Sequence, residues 1–418
     1  MNILIKSATI IDSKSEFHNT TQDLLIENGK ITKISSNIKN TKSYKEISFE
    51  NLHVSQGWFD SSVSFGEPGY EERETVQNGL KTAALSGFTT VAVNANTNPV
   101  IDSNADITFL NSKANNNAVN LLPIGALTVA SKGEDLAELY DMNTAGAVAF
   151  YDYKKAISNP NLMKIALQYA SNFNGLVCSF PQENRISGNG VMNENITSTK
   201  LGLKGTPALA EALQIARDLF LLEYTGGKLH IPTISTATSV SLIKEAKKKK
   251  LDITCSVAIH NLYFTDEVLT DFETKYKVLP PLRTQTDITA LIDAVKDGTI
   301  DMVTTDHTPI DIEEKKIEFD HANYGSIGLE SAFGALQNIF TTKKTIDILT
   351  KGKARFGIET LPIKVGNKAN ITLFNPETKY TFTKQDIISR SKNAIFENET
   401  LKGKVYGIVS NNQVVIKQ

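Results

Sequence analysis

The side chains best placed for chemistry in this 418-residue chain are a pair of serines and two aspartates. Ser62 and Ser64 stand two apart in the segment G-W-F-D-S-S-V-S-F-G-E-P-G, residues 57–69. Asp152 ends the apolar run G-A-V-A-F-Y-D, and Asp306 follows another in D-M-V-T-T-D-H-T-P-I. Two converging carboxylates can hold a hard cation such as Mg²⁺ through oxygen. Hydroxyls are much poorer zinc donors than imidazole or thiolate, because they are neutral and weak unless deprotonated. The simpler reading of Asp306 is a hydrogen-bond acceptor that holds a loop. Asn96, in N-T-N-P, adds an amide that could bind a polar ligand.

These residues become a group only if the chain brings strand ends together. The middle of the sequence repeats strand, loop and helix. Candidate strands are 58–63, 89–94, 121–127, 145–151, 176–180, 228–233, 252–257 and 301–305, rich in β-branched and apolar residues. Helical patterns fall between them at 74–85, 161–171, 207–224, 239–249 and 286–296, the third opening with Pro207. Eight such units predict an α/β fold, a (β/α)₈ TIM barrel spanning residues 54–362. In such a barrel the chemistry lies at the C-terminal strand ends. Those ends are Ser62 and Ser64, Asn94 to Asn96, Asp152, Phe180, Thr233 and Asp306. Residues 1–53 and 363–418 are β-rich, with Asn28-Gly29 and Asn411-Asn412 as turn signals. They predict one composite β-sandwich domain built from both termini.

Composition narrows the function classes. A net charge of −2 gives no general attraction to nucleic acid or anionic membrane. The two cysteines, Cys178 and Cys255, lie in apolar runs and read as inert core residues of a reducing compartment. The N-terminus alternates like a strand and lacks the pattern of a signal peptide, and no apolar run is long enough for a membrane helix. A cytoplasmic protein is expected. Lys247–Lys250 ends a helical pattern, where lysines complement the helix dipole and stay solvated. His230 and His260 read as packing residues.

A chain of motifs in the same order resembles the dihydroorotase family of cyclic amidohydrolases. Residues 57–69 resemble G-F-I-D-x-H-V-H-L-R-E-P-G, and Gly87–Pro99 resembles G-F-T-T-V-x-x-M-P-N-T-x-P. Leu229–Thr236 resembles Y-H-I-C-H-V-S-T, Lys277–Arg283 resembles K-V-N-P-P-L-R, and residues 297–310 resemble D-G-x-I-D-x-I-A-T-D-H-A-P-H. G-S-I-G-L-E, residues 325–330, matches a barrel-closing G-x-x-G-x-E. The resemblance implies a barrel whose catalytic zinc is held by four histidines and by aspartates. The four histidine positions hold Ser62, Ser64, Phe180 and Thr233. The bridging aspartate falls at Asp152, and the ligand that also shuttles protons falls at Asp306. Gly66 stands at the substrate-binding arginine, Leu279 at an asparagine and Ile310 at a histidine, while Asn96 remains from the substrate pocket.

A complete structural zinc site is worth on the order of 10–16 kcal/mol, and two serines, a threonine and a phenylalanine cannot replace four imidazoles in it. Loss of an arginine fork also removes a strong charge-assisted contact to a carboxylate. The expectation is therefore a non-catalytic member of the family in pyrimidine biosynthesis, without zinc. It would act as a structural or regulatory partner of aspartate carbamoyltransferase and form a homodimer, as the resemblance implies. Two alternatives stay open. One is an active dihydroorotase or related cyclic amide hydrolase with an atypical zinc site. The other is a metabolite-binding sensor that uses the emptied pocket.

Overall fold

The computed structural model describes residues 1–417. Its strands in chain order are β1 (Asn2–Ile11), β2 (Thr21–Glu27), β3 (Lys30–Ser35), β4 (Lys45–Ile47), β5 (His53–Gln56), β6 (Trp58–Val63), β7 (Phe88–Val93), β8 (Asn120–Gly125) and β9 (Ala149–Phe150). They continue as β10 (Leu176–Cys178), β11 (Met192–Asn193), β12 (Gly205–Thr206), β13 (Lys228–Ile231), β14 (Ile253–Ala258), β15 (Met302–Thr304), β16 (Ile371–Thr381), β17 (Thr400–Ser410) and β18 (Gln413–Ile416). Eight of these, β6 to β10 and β13 to β15, pair in parallel in chain order, as the strand-loop-helix rhythm predicts. The fourth strand is shorter than expected. Ala145 caps the helix Leu139–Thr144 and Gly146 turns back at φ 108°, so pairing begins only at Ala149.

Helices cover the outside, and local chemistry sets their starts. Thr75, Ser103, Asn159, Thr236 and Thr284 each cap a helix by accepting from its first amides. Ser103 and Thr284 form full capping boxes with Asp106 and Asp287. The Lys247–Lys250 run closes the helix Ala237–Lys248, and Lys247, Lys248 and Lys249 pair with Asp301, Glu245 and Glu223.

The barrel closes between β6 and β15. Val63 and His307 form a parallel bridge, and the Ser64 amide donates to the His307 carbonyl at 2.8 Å. Asp60 secures the seam from inside. Its buried carboxylate accepts from the Thr305 amide at 3.0 Å, from the Ser62 amide at 3.1 Å and from the Thr304 hydroxyl. On the far side His307 is fixed through Nδ1, which accepts from the Gly328 amide at 3.1 Å.

The two chain ends share a second sheet, ordered β18-β17-β16-β5-β1-β2-β3, with β4 added to β1. Its own core contains Ile3, Ile5, Leu24, Ile26, Val54, Ile371 and Leu373. Asn28 and Gly29, and likewise Asn411 and Asn412, turn its hairpins with positive φ at both positions, which Asn and Gly tolerate best. β5 leads directly into β6 through Gly57, whose amide donates to the Asn370 carbonyl at 2.9 Å. A Cβ there would overlap Asn370 and Thr89. Trp58 stacks on Phe333 at 4.8 Å and lies 5.7 Å from Phe374, so it links the barrel base to the terminal sheet.

Removing the seam carboxylate should be costly. Asp60→Ala orphans three buried donors, each unsatisfied donor costing roughly 1–3 kcal/mol. The expected loss is about 3 kcal/mol or more in urea unfolding, with Asp60→Asn losing less because one acceptor remains.

Candidate functional site

Closure of the barrel brings the first and eighth strand ends together, and with them Ser62, Ser64 and Asp306. All three are buried. The two serine hydroxyls are engaged by Asn94 at the end of β7. Its amide nitrogen lies 3.1 Å from Ser62 Oγ, 3.3 Å from Ser64 Oγ and 3.0 Å from the Val63 carbonyl. Asn94 therefore does more than mark a strand end: it ties the first strand's serines to the second strand.

Asp306 sits in the left-handed region at φ 50°, uncommon for a residue other than glycine. Its Oδ2 accepts from Lys154 Nζ at 2.7 Å, and its Oδ1 accepts from the Tyr153 hydroxyl at 3.3 Å. That hydroxyl also lies 2.8 Å from Thr308 Oγ1. The Lys154 backbone, at φ 53°, is held by its amide donating to the Tyr151 hydroxyl at 3.0 Å. The lysine side chain is only 10% exposed. Burial pulls the Lys154 ammonium toward the neutral form, but the Asp306 carboxylate and Tyr153 outweigh it and hold its pKa up at about 12. The mouth thus contains a locked ammonium–carboxylate pair.

Asp152 does not join this group. Its Oδ1 accepts from the Leu127 and Thr128 amides at 2.9 and 3.0 Å, and its Oδ2 from the Thr128 hydroxyl. It therefore organises the loop after β8, and Tyr153 and Lys154 supply the side chains that reach Asp306. Loop amides and the Thr128 hydroxyl thus satisfy the Asp152 carboxylate.

The other candidates lie around the mouth. Phe180 is buried in an apolar cluster with Phe59, Tyr151 and Cys178. Thr233, at φ 48°, donates its amide to Ser256 Oγ at 3.1 Å, while its own hydroxyl is buried without a partner. Asn96 Oδ1 is likewise buried and unpartnered. Asn96, Ser64, Tyr153 and Lys154 line a cleft of about 320 Å³, together with Arg73, whose guanidinium stacks on Tyr70 at 4.1 Å and pairs with Glu314 at 2.7 Å. Gly66 also faces this cleft, and a Cβ there would overlap the Tyr70 carbonyl. An arginine at this position therefore requires a different loop path.

The buried histidines do not converge. His230 bonds Thr254 and Ser256, and His307 holds the closing seam. His260 has an unpartnered Nε2, and burial, with a smaller contribution from Lys154, lowers its pKa to about 3. Cys178 and Cys255 are free and buried.

Relatives now place the chain. It is 39% identical to the dihydroorotase of Pelotomaculum thermopropionicum, over 100% of this chain and 99% of that protein. The chain belongs to the dihydroorotase family. The dihydroorotase of Caldanaerobacter subterraneus subsp. tengcongensis is 38% identical over 99% of this chain and 97% of its own length. The dihydro-orotase-like family model matches residues 53–239. Among solved structures, the L-hydantoinase (dihydropyrimidinase) of Arthrobacter aurescens superposes with a TM-score of 0.85, covering 100% of this chain and 96% of that one. At 19% identity this likeness concerns the fold, here a (β/α)₈ barrel with a separate sheet at the termini. No helix among the described residues is long and apolar enough to cross a membrane.

The family resemblance implies zinc, and the donor set at this dihydroorotase-family mouth does not fit it. Among the described residues no three His, Cys, Asp or Glu side chains come together. Ser62 and Ser64 are held by Asn94, Asp152 by loop amides, and Asp306 by an ammonium that repels a cation.

Three residues central to this arrangement, Tyr153, Lys154 and Arg73, escaped assignment from sequence, and Asn94 was placed only as a strand end. Lys154 had one signal, a cation two residues past an aspartate at a strand end.

The ion pair gives a pH test. Lys154 has a folded pKa above its ordinary value of 10.5, so its stabilisation is complete below about 10.5 and fades as pH rises through about 12. Lys154→Met strands the Asp306 charge and should cost about 3–5 kcal/mol at pH 7.5, the usual penalty for an uncompensated buried ion. The loss should shrink as pH falls, because burial raises the Asp306 pKa and protonation removes the stranded charge. Urea unfolding of Lys154→Met and of Lys154→Met with Asp306→Asn checks this, the double variant recovering stability at pH 7.5.

Proposed function

We propose that this dihydroorotase-family protein serves pyrimidine biosynthesis without performing zinc hydrolysis itself, as a structural or regulatory partner of aspartate carbamoyltransferase. The observation that carries the reading is the Lys154–Asp306 pair at the barrel mouth. A catalytic zinc lowers the pKa of its bound water to about 7, which requires a firmly held ion. The resemblance implies that Ser62, Ser64, Phe180 and Thr233 stand at the four histidine positions, and the Asp306 carboxylate is paired with the Lys154 ammonium. Selection for a scaffold keeps the barrel and its closing seam while it lets metal ligands drift. The partner's identity and the homodimer rest on the family resemblance.

A second reading is an active cyclic amide hydrolase with an atypical metal site. It is favoured by the relatives, which carry the name dihydroorotase at 35–39% identity along essentially the whole chain.

Two measurements separate the readings. Purified protein supplemented with zinc is assayed for dihydroorotate ring opening and closing, with Asp306→Ala as control, and its bound zinc is measured. The expected result is no Asp306-dependent turnover and far less than one zinc per chain. Turnover abolished by Asp306→Ala would establish the hydrolase instead. Mixed with the aspartate carbamoyltransferase of the same genome, the protein should co-elute in gel filtration. Separate elution removes the partner assignment.

A further inference from the structure

A pocket of about 380 Å³ lies where the terminal sheet meets the base of the barrel. Two hairpin turns of that sheet, Asn28-Gly29 and Asn411-Asn412, form one wall. Lys353 and Glu359, from the segment after the helix Thr342–Lys351, form another. Lys353 Nζ donates to the carbonyl of Gly57, the residue before β6. The pocket therefore sits at the N-terminal end of the barrel, away from the mouth. Its volume falls in the range of small-molecule sites.

The lining is rich in ammonium groups. Lys353 is 3% exposed. An ammonium carries three N–H donors, and this one meets a single protein acceptor. Asp12 acts on it only through charge, because the Asp12 oxygens accept from Gln56, Lys14 and Ile363. Burial lowers the Lys353 pKa to about 8, and Asp12 offsets only part of that effect. Lys30 and Lys368 stand directly opposite each other in an antiparallel bridge. Side chains so paired share one face, where like charges repel and destabilise. Among the described residues none of the three lysines has an ion-pair partner. Exposed Glu359 is the one carboxylate on the lining, so three ammonium groups face one negative charge.

Two neutral groups on the same lining also lack partners. Ser410 is 1% exposed, and its Oγ is buried without a hydrogen bond, as is Asn370 Oδ1. Buried polar atoms are almost always bonded, so these two mark places for ligand atoms. The chemistry favours phosphate over a carboxylate. Lysine binds phosphate as a point charge, whereas the planar fork that suits a carboxylate belongs to arginine, and the lining holds none. Hydrogen phosphate also carries an O–H that can donate to Asn370 Oδ1, while a carboxylate only accepts.

We propose that this pocket binds phosphate, either the free ion or the phosphoryl end of a small monoester. Lys353, Lys30 and Lys368 supply the countercharge, and Ser410 and Asn370 bond its oxygens and hydroxyl. The bound anion joins the hairpin turns of the terminal sheet to the barrel base. The site is independent of the mouth, so the turnover and partner assays can fail without touching it. Calorimetric titration of the full chain with inorganic phosphate, and separately with glycerol phosphate, tests it in chloride buffer of constant ionic strength. One site per chain is expected, with the melting temperature rising as phosphate is added, because binding only the folded state stabilises it. Tighter binding of the monoester makes a metabolite the source, and tighter binding of phosphate makes it the free ion. Lys30→Gln with Lys368→Gln, both on the surface, should fold normally and bind at least roughly tenfold more weakly, the cost of losing charge-assisted bonds. Lys353→Met should bind neither compound, and if it fails to fold the surface variant decides alone. Absence of binding by both compounds, unchanged affinity in either folded variant, or succinate binding as tightly as phosphate overturns the proposal.

Discussion

Closure between the first and last barrel strands is the constraint on which the rest of the molecule depends. β6 and β15 are separated by some two hundred and forty residues of chain, so their pairing carries a large loop-closure entropy and needs strong local support. Asp60 provides it from β6 by gathering donors from Ser62, Thr304 and Thr305. The bridge between Val63 and His307 continues the seam, and the amide following Gly325–Ile327 anchors the histidine. Everything at the mouth follows from this closure, because it alone sets Ser62 and Ser64 beside Asp306.

The mouth is electrostatically self-contained. A buried carboxylate without a partner would be expensive, and here an ammonium on the neighbouring fourth-strand loop supplies the opposite charge. A divalent cation in the same place would need several donors free of other obligations. Here Asn94 engages the serine hydroxyls, the loop amides at Leu127 and Thr128 the Asp152 carboxylate, and Lys154 the Asp306 carboxylate.

The outer layer of the barrel shows a contrasting use of apolar surface. The helix Ala208–Thr225 buries one side in the core and leaves a second apolar side in water. Its core side is needed to cover the parallel sheet, as all-parallel strands require.

Much of the fold was legible in the sequence. β-branched runs alternating with helical periodicity located all eight barrel strands, and Asn-Gly and Asn-Asn located the turns of the terminal sheet. These features are local: propensity, period and turn chemistry act over a few residues. The run G-A-V-A-F-Y-D marked the fourth strand end at Asp152, but which nearby side chains reach Asp306 depends on the loop after β8, whose amides claim Asp152. The role of Asn94 depended on the approach of β6 and β7, and the fit of Gly66 on the nearby Tyr70 carbonyl. The sequence by itself determined the family and the barrel, because these are set by residue identity and order. Only the tertiary structure decided that Lys154 pairs with Asp306 and that loop amides claim Asp152. Charge pairing and donor satisfaction are settled by distances between residues remote in the chain, which no local pattern encodes.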